Sequence, residues 1–517
     1  LITHVILSTL FAGQWAGTSR IGKAVGPVML VWFSFLGIMG LLHVFDHPGV
    51  LRAFNPVYAA RILVSPYNKV GFMILGSVFL ATTGAEALYS DMGHVGRGNI
   101  YASWPFVKAC LILNYLGQGA WILTHTASGT LAAIPDMNPF FQMLPEALRA
   151  PAVALGTLAA IIASQALITG SYTLVSEAIR LDLMPHLEVR YPSDTKGQIY
   201  IGAVNTVLYL GCAAVVLYFR TSARMEAAYG LAITVTMLMT TLLLAVYLWS
   251  IQKKQALAVG IALVFGAIEA VFFLSSLRKF ALGGYVAVLM ALVLFLIMVV
   301  WRRGTQLEQE YATRLPVGDY LPNLDTLHKD TLLPPLADNL VFLDKAGDMD
   351  TIDRDILYSI LDKDPKRAAA YWFISMTVTD EPDTRRYSVE TYGTDYIFRV
   401  RLDLGFKRHQ RVNVYLRQIV RDLIESGELP PQERKYSIYG KSDVGSFKFV
   451  FLHKAVPSKS ELSFLDELVL NTKYAIRRVA GSKVRWYGLD TSSLVVETVP
   501  FIVGGKAPRS SRLERVK

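Results

Sequence analysis

The stretch GYVAVLMALVLFLIMVVW (284–301) runs directly into RRGTQLEQEYATRLPVGDYLPNLD (302–325). The first piece carries no charge over 18 residues. A run of about that length reads as a membrane-spanning helix. Arg302 and Arg303 close it, a charged helical exit follows, and Pro316 and Pro322 mark a connection to something new. The chain changes solvent at this point. Residues 1–303 hold 19 Lys+Arg and 11 Asp+Glu, and the remaining 214 residues hold the other 32 and 30. Overall the 517 residues are 53% hydrophobic and 18% charged, against about 25% charged in soluble domains. The first region is built for lipid and the second for water. The expected architecture is an all-α polytopic membrane domain over 1–303, then a small α+β domain over 304–517.

Working back from 284–301, eight more apolar runs qualify as spans: 2–16, 27–45, 68–89, 104–126, 151–178, 199–219, 226–249 and 255–275. Nine spans place the two ends on opposite sides. With the tail assigned to the cytoplasm, cytoplasmic loops hold eleven Lys and Arg and outer loops eight, an excess in the direction the positive-inside rule requires. Lys253–Lys254 and Arg302–Arg303, at span ends, carry most of it. Residue 1 is Leu, close to the start of the apolar run ITHVILSTLFAG (2–13). The expectation is a chain missing its natural beginning, with a shortened first span. It is no signal peptide, because spans continue far beyond it.

Working forward from 325, strand-like runs appear at YWFISMTV (371–378), DYIFRVRLDL (395–404) and FKFVFLHK (447–454). Helical patterns interleave with them at 352–361, 414–427 and 462–479. This mixture gives the α+β reading.

Several function classes drop out. Of the net charge of +10, the part upstream of 304 holds +8 and the tail +2. The tail thus lacks the basic footprint that nucleic acid requires. Cys110 and Cys212 lie in separate apolar spans, so neither a disulfide framework nor a metal cluster is indicated. No G-x-x-x-x-G-K-[ST], G-x-S-x-G or H-E-x-x-H occurs; these residues indicate no enzyme, no cofactor and no ATP-driven pump within the chain.

An ionisable residue inside a span is costly, so each is a functional candidate. Glu86 stands out, about 17 residues into an apolar segment within LATTGAEALYSDMGH (80–94). Gly84 and the small or hydroxylated Thr82, Thr83 and Ala85 surround it. That composition suits a helix that breaks, baring carbonyls and hydroxyls around a carboxylate, as ion sites of secondary transporters do. A dehydrated monovalent cation needs such oxygens, and the carboxylate can also carry a proton if desolvation raises its pKa. The bland alternative is a carboxylate that reaches headgroups or pairs with a neighbouring helix. Tyr89 reads more as an interface anchor than a ligand, and Asp91 and His94 as a turn. A second polar stripe, AAYGLAITVTMLMTTLLL (227–244), presents Tyr229, Thr234 and Thr236 beside Gly230; ion-path lining and small-residue helix packing weigh equally there. Asn114, Gln118, Ser164, Gln165 and Glu177 read as interhelical polar contacts. Glu269, a lone carboxylate in a late span, is left open between a structural role and an oligomer contact.

Longer runs carry a family likeness: QWAGTSRIGKAVGPVMLVWF (14–33), GAEALYSDMGHVGR (84–97), NYLGQGAWIL (114–123), ASQALITGSYTLVSEAIRL (163–181), KGQIYIGAVN (196–205) and AAYGLAITVTM (227–237). In these the sequence resembles the Kup-type potassium uptake permeases. The resemblance implies a twelve-span, inverted-repeat transporter (LeuT-like, APC-type) in the cytoplasmic membrane, taking up K+ with H+. It implies a cytosolic C-terminal domain and a homodimer. On that frame the nine spans correspond to the fourth to the twelfth, and a chain lacking the first three should not transport alone. The carried-over site is partial: Glu86 and its hydroxyl neighbours Thr82 and Thr83, with Glu86 and Thr83 as potassium ligands; the reading of the residues adds Gly84, Tyr89, Tyr229 and Thr234. The tail segment IDRDILYSILDKDPKRAAAYWF (352–373) looks like a variant of some bacterial relatives whose tails regulate transport, which raises cyclic di-AMP as a regulator. The competing readings are a permease for amino acids or other organic solutes, and a non-transporting membrane receptor.

Overall fold

The computed structural model describes residues 2–14, 19–65, 71–82, 97–129, 137–191, 199–344, 349–379, 381–406, 408, 411–432, 444–455, 462–480, 487–489 and 491–500. Two compact units form, Leu1–Val175 with Gly197–Phe295 and Ser176–Lys196 with Leu296–Lys517.

Among the described residues, seven helices are long and apolar enough to cross a membrane: Val25–Val44, Gly98–Ala127, Glu146–Arg180, Gly202–Phe219, Arg224–Ser250, Gln255–Leu277 and Phe280–Glu310. Nine spans are expected from sequence, so two fall short. The run at 2–16 forms the 12-residue helix Ile2–Gly13 (α1), too short to cross alone. The run at 68–89 does not form one helix over its described part, 71–82.

The long elements are α2 (Ser19–Val44), α4 (Arg97–Ala127), α5 (Glu146–Arg180), α6 (Gly202–Phe219), α7 (Ser222–Ser250), α8 (Gln255–Leu277) and α9 (Tyr285–Glu310); a short helix, α3, covers Pro56–Val64. The close approach of α2 and α4 is set by glycine. A Cβ on Gly40 of α2 would stand 2.3 Å from the Leu113 carbonyl oxygen of α4, and one on Gly117 would stand 2.5 Å from the Gly40 carbonyl oxygen. Only hydrogen fits at either place, the small-residue approach that membrane helices use in place of a hydrophobic drive. Polar side chains link other pairs. Gln14 and Gln165 exchange amide hydrogen bonds of 2.5 and 2.8 Å, and Tyr172 donates to Asn205 at 2.7 Å. The expected interhelical role of Gln165 is thus observed. Glu177 instead pairs with Arg180 on its own helix at 3.2 Å, and Ser164 donates to Ala160 O.

The C-terminal domain corrects the α+β expectation. Strands β2 (Ala337–Leu343), β4 (Ala368–Thr379), β5 (Arg385–Glu390), β6 (Ile397–Gly405), β7 (Phe447–Ala455) and β8 (Leu494–Pro500) form one sheet, while β1 (Arg314–Pro316) and β3 (Thr351–Asp353) pair separately. The sheet order is β5-β6-β4-β2-β7-β8, and every pairing in it is parallel except β5 with β6. Interleaved helices impose this, since parallel neighbours need crossover connections. The class is α/β, with helices on both faces. On one face α10 (Val317–Lys329) and residues 354–363 bury Leu324, Ile356 and Ile360 against Leu340, Phe342, Tyr371 and Phe373. On the other, α11 (Val412–Glu425) buries Leu416, Ile419 and Val420 against Val341, Trp372 and Phe398. Strand alternation sends even and odd residues of β2 and β4 to opposite faces, and both faces are covered, which is why those strands read as unbroken apolar runs. The last helix, α12 (Phe464–Ala480), follows β7.

Candidate functional site

The segment leading to Glu86 departs from α geometry at once. Residues Gly71–Ile74 are 3-10, Leu75–Val78 make one α turn, and Phe79–Thr82 return to 3-10. Gly71 starts it at φ +57. A 3-10 stretch within a span marks strain or a hinge, and its broken ladder must find other partners. These come from α8. Ser275 Oγ accepts from the Gly76 amide at 2.9 Å. One turn on, Lys279 Nζ donates to the Ser77 hydroxyl at 3.1 Å and toward the Gly76 carbonyl at 3.4 Å. Gly76 is required there, because a Cβ would lie 2.9 Å from Ser275 Oγ. The buried Phe79 packs against Phe272 with ring centroids 5.1 Å apart. The Lys279 ammonium thus occupies a carbonyl and a hydroxyl that a continuous α-helix would not present to it.

Leu80, the first residue of one stripe singled out in the sequence, is the described point of contact with the other. Leu80 lies against Gly230, whose added Cβ would be 3.5 Å from Leu80 Cδ2. Thr234 is 1% exposed, and its hydroxyl donates to the Leu231 carbonyl at 2.9 Å, within its own helix. Thr236 does the same to Ala232 O. Such back-bonding spends the hydroxyl proton and leaves oxygen lone pairs. Tyr229 is 45% exposed on the same helix. Thr82 closes the last 3-10 turn. Thr83, Gly84, Glu86 and Tyr89, with Asp91 and His94, lie outside the described residues.

Glu269, left open by the sequence, is buried between α7 and α8. Thr241 donates to its Oε1 at 2.8 Å, and its Oε2 is buried with no hydrogen-bond partner among the described residues. Sequence reasoning passed over Ser275 and Lys279. Their signal was a polar pair at helical i, i+4 spacing beyond an apolar run. Among the described residues no group of three or more His, Cys, Asp or Glu is placed to hold a metal. Cys110 is buried, Cys212 exposed, and neither forms a disulfide.

The C-terminal domain carries its own buried charges. Asp344, at the end of β2, accepts from Arg314 and Arg399, each at 3.0 Å. Asp353 and Asp355 flank Lys454. Burial alone would depress the Lys454 ammonium, but these two carboxylates hold its pKa above the ordinary value. Tyr487 is pushed up to about 12, first by burial and then by Asp344.

Comparison with known proteins agrees with this two-part chain. Residues 1–306 match the K+ potassium transporter integral membrane domain, and residues 337–501 match the K+ potassium transporter C-terminal domain. A probable potassium transport system protein Kup of Enterococcus faecalis is 52% identical over 505 residues, covering 98% of this chain and 75% of the relative. The protein of the same name from Streptococcus equi subsp. zooepidemicus is 53% identical over 503 residues, covering 97% and 75%. That from Clostridium perfringens is 50% identical over 504 residues, covering 98% and 76%. No solved structure matches the chain. With both domains matched and half of all residues shared along nearly its whole length, the chain belongs to the Kup (KUP/HAK/KT) family of potassium transporters.

Proposed function

We propose that this protein mediates potassium uptake across the cytoplasmic membrane by proton symport, with its C-terminal domain in the cytoplasm. The observation that carries the reading is the broken segment 71–82, held open by Ser275 and Lys279 and leading directly to Glu86. Glu86 and Thr83 ligate the bare cation, with Gly84 loosening the backbone between them. Thr82, Tyr89, Tyr229 and Thr234 supply further oxygens or line the approach. Protonation of Glu86 alternates with cation binding and couples the two fluxes. The membrane potential contributes about 2.3 kcal/mol per charge per 100 mV. The relatives' names, which specify potassium transport, support the substrate.

Regulation at the C-terminal domain by cyclic di-AMP, and assembly as a homodimer, belong to the same reading. A doubly wound sheet offers a crevice at its strands' carboxyl ends where the order reverses, here beside β2. Calorimetric titration of the protein with cyclic di-AMP yields heat on this reading and none without it.

The deciding experiment is rescue. The gene in full is expected to restore growth at low potassium to a strain that cannot take the ion up. Glu86→Gln is expected to cut uptake at least tenfold, about 1.4 kcal/mol in the transport barrier, and to flatten its pH dependence. Wild-type uptake with an unchanged pH profile in Glu86→Gln removes Glu86 from the site. Amino-acid uptake without potassium uptake overturns the substrate.

A further inference from the structure

Three large apolar side chains lie bare at the start of α12. Phe464 is 77% exposed, Leu465 68% and Leu468 52%. The other side of the same turns is packed, with Leu470 buried against Leu307 of α9 and Leu462 and Val469 beside it. Past Leu468 the exposed face becomes polar at Asn471 and Thr472. The bare patch is therefore confined to the first turn and a half of an otherwise ordinary amphipathic helix.

The level of this patch is set by α9. The apolar run of α9 ends at Trp301, Val299 is its last residue that faces outward, and Arg302 and Arg303 follow. Contacts from α12 land on the next turns. Arg303 Nη2 is 3.4 Å from Asp466 Oδ1. Lys473 Nζ lies over the Trp301 ring at 5.2 Å, donates to Thr305 at 2.9 Å and pairs with Glu308 at 3.1 Å. The eight residues from Asp466 to Lys473 thus meet α9 between Trp301 and Glu308, crossing its exit. Four residues of helix, about 6 Å, separate Val299 from Arg303. The headgroup layer on each side of a bilayer is about 5–7 Å deep. Asp466 and its neighbours Phe464, Leu465 and Leu468 consequently fall at the boundary between acyl chains and headgroups.

A second, separate span gives the same level. Arg180 ends α5, and Leu181–Leu183 share an open cleft with Arg302, Thr305, Gln306 and Gln309. Leu181 is itself 68% exposed. Two helices leave the apolar phase at one height, and bare leucines lie on both sides of the α9 exit.

We propose that Phe464, Leu465 and Leu468 insert into the lipid surface of the membrane that α9 crosses, anchoring the C-terminal domain against it. The occupant is the bilayer interface because the patch continues the outward apolar surface of α9 and is flanked by Arg302 and Arg303, which anionic headgroups attract. An interfacial helix of this kind buries its apolar side chains about 5–10 Å into the boundary, which matches the height set by α9.

The test uses the full chain with Cys212→Ala, leaving the buried Cys110 in place, in vesicles of phosphatidylcholine and phosphatidylglycerol. One nitroxide at a time is attached at position 464, 468, 472 or 332; Leu332 is 91% exposed and serves as the water reference. Labels at 464 and 468 are expected to collide severalfold more with oxygen, and severalfold less with a water-soluble nickel chelate, than the label at 332, with 472 closer to 332. Water-like values at 464 and 468 overturn the proposal. Strong spin–spin coupling between copies at 464 also overturns it, by assigning the patch to a second copy of the chain. Phe464→Asp with Leu468→Asp, both at exposed positions, is expected to leave the thermal midpoint unchanged in detergent and to return a label at 465 to water-like values. An unmoved label at 465 counts against lipid insertion.

Discussion

Arg399 places a guanidinium in the middle of β6, with its side chain 1% exposed. A lone charge there would be prohibitive, and Asp344 offsets it while also serving Arg314. Asp344→Asn is expected to destabilise the domain by about 3–5 kcal/mol, because it leaves the buried Arg399 guanidinium unmatched. Arg399→Leu combined with Asp344→Leu is expected to cost much less, since a buried pair replaced by apolar groups is near neutral. Denaturant titration of the purified protein separates the two. His453, on β7, gives a pH handle of known sign. Burial first, then Arg477 and Arg478, hold its pKa below the ordinary value. The folded state therefore refuses a proton that the unfolded chain accepts, so stability is full above about pH 6.5 and declines as pH falls below it. Thermal midpoints measured downward from pH 7 are expected to fall, and less so in His453→Gln. At this scale the sequence was partly legible. Glu86 announced itself as a charge among apolar residues. Arg399 did not, because IFRVRLDLG (397–405) reads like any half-buried strand until the partner from β2 is seen.

At the scale of elements, the outcome depends on where backbone hydrogen bonds go. Continuous helices satisfy their own, and among the described residues seven are long and apolar enough to cross a membrane. The run at 68–89 could not be told from a regular helix by hydropathy alone, since Gly71 and Gly76 are common in membrane helices. What distinguishes it is supplied from outside, by Ser275 of α8 and Lys279 just beyond its end. Ser275→Ala leaves the buried Gly76 amide without its acceptor, a loss of about 1–3 kcal/mol. Its expected signature is slower potassium uptake with a thermal midpoint lowered by a few degrees, and the uptake defect deepened by Lys279→Met. Uptake at the wild-type rate in the double variant would remove α8 from the positioning of this segment. The Gly40–Gly117 approach behaves oppositely. Gly40→Val drives a side chain into the α4 backbone, so α2 and α4 must separate, and both midpoint and uptake are expected to fall together. The α+β misreading has the same root: periodicity identified strands and helices but not which strands pair, and the parallel order appears only when crossovers are traced.

For the whole molecule, the split legible at 301–304 is a split in what holds each part folded. Helices within lipid or detergent keep their backbone hydrogen bonds because no water competes for them. The C-terminal sheet is instead stabilised by removing Trp372, Phe398, Leu416 and their neighbours from water, the term urea weakens. The protein in detergent is therefore expected to unfold in two stages as urea rises. Strand signal and the stacked Trp372–Phe398 environment, with ring centroids 4.5 Å apart, should vanish first, while most helical ellipticity persists. Gly304 tells whether the end of α9 belongs to the first stage. A Cβ there would lie 2.6 Å from Lys473 Cδ, so Gly304→Val must push Lys473 off Trp301 and Glu308. If the α9 exit folds with the sheet, this substitution lowers the urea midpoint of the first stage and leaves the second where it was. A single concerted loss of strand and helix, or a Gly304→Val shift confined to the second stage, would mean that lipid-phase packing rather than the sheet fixes the end of α9.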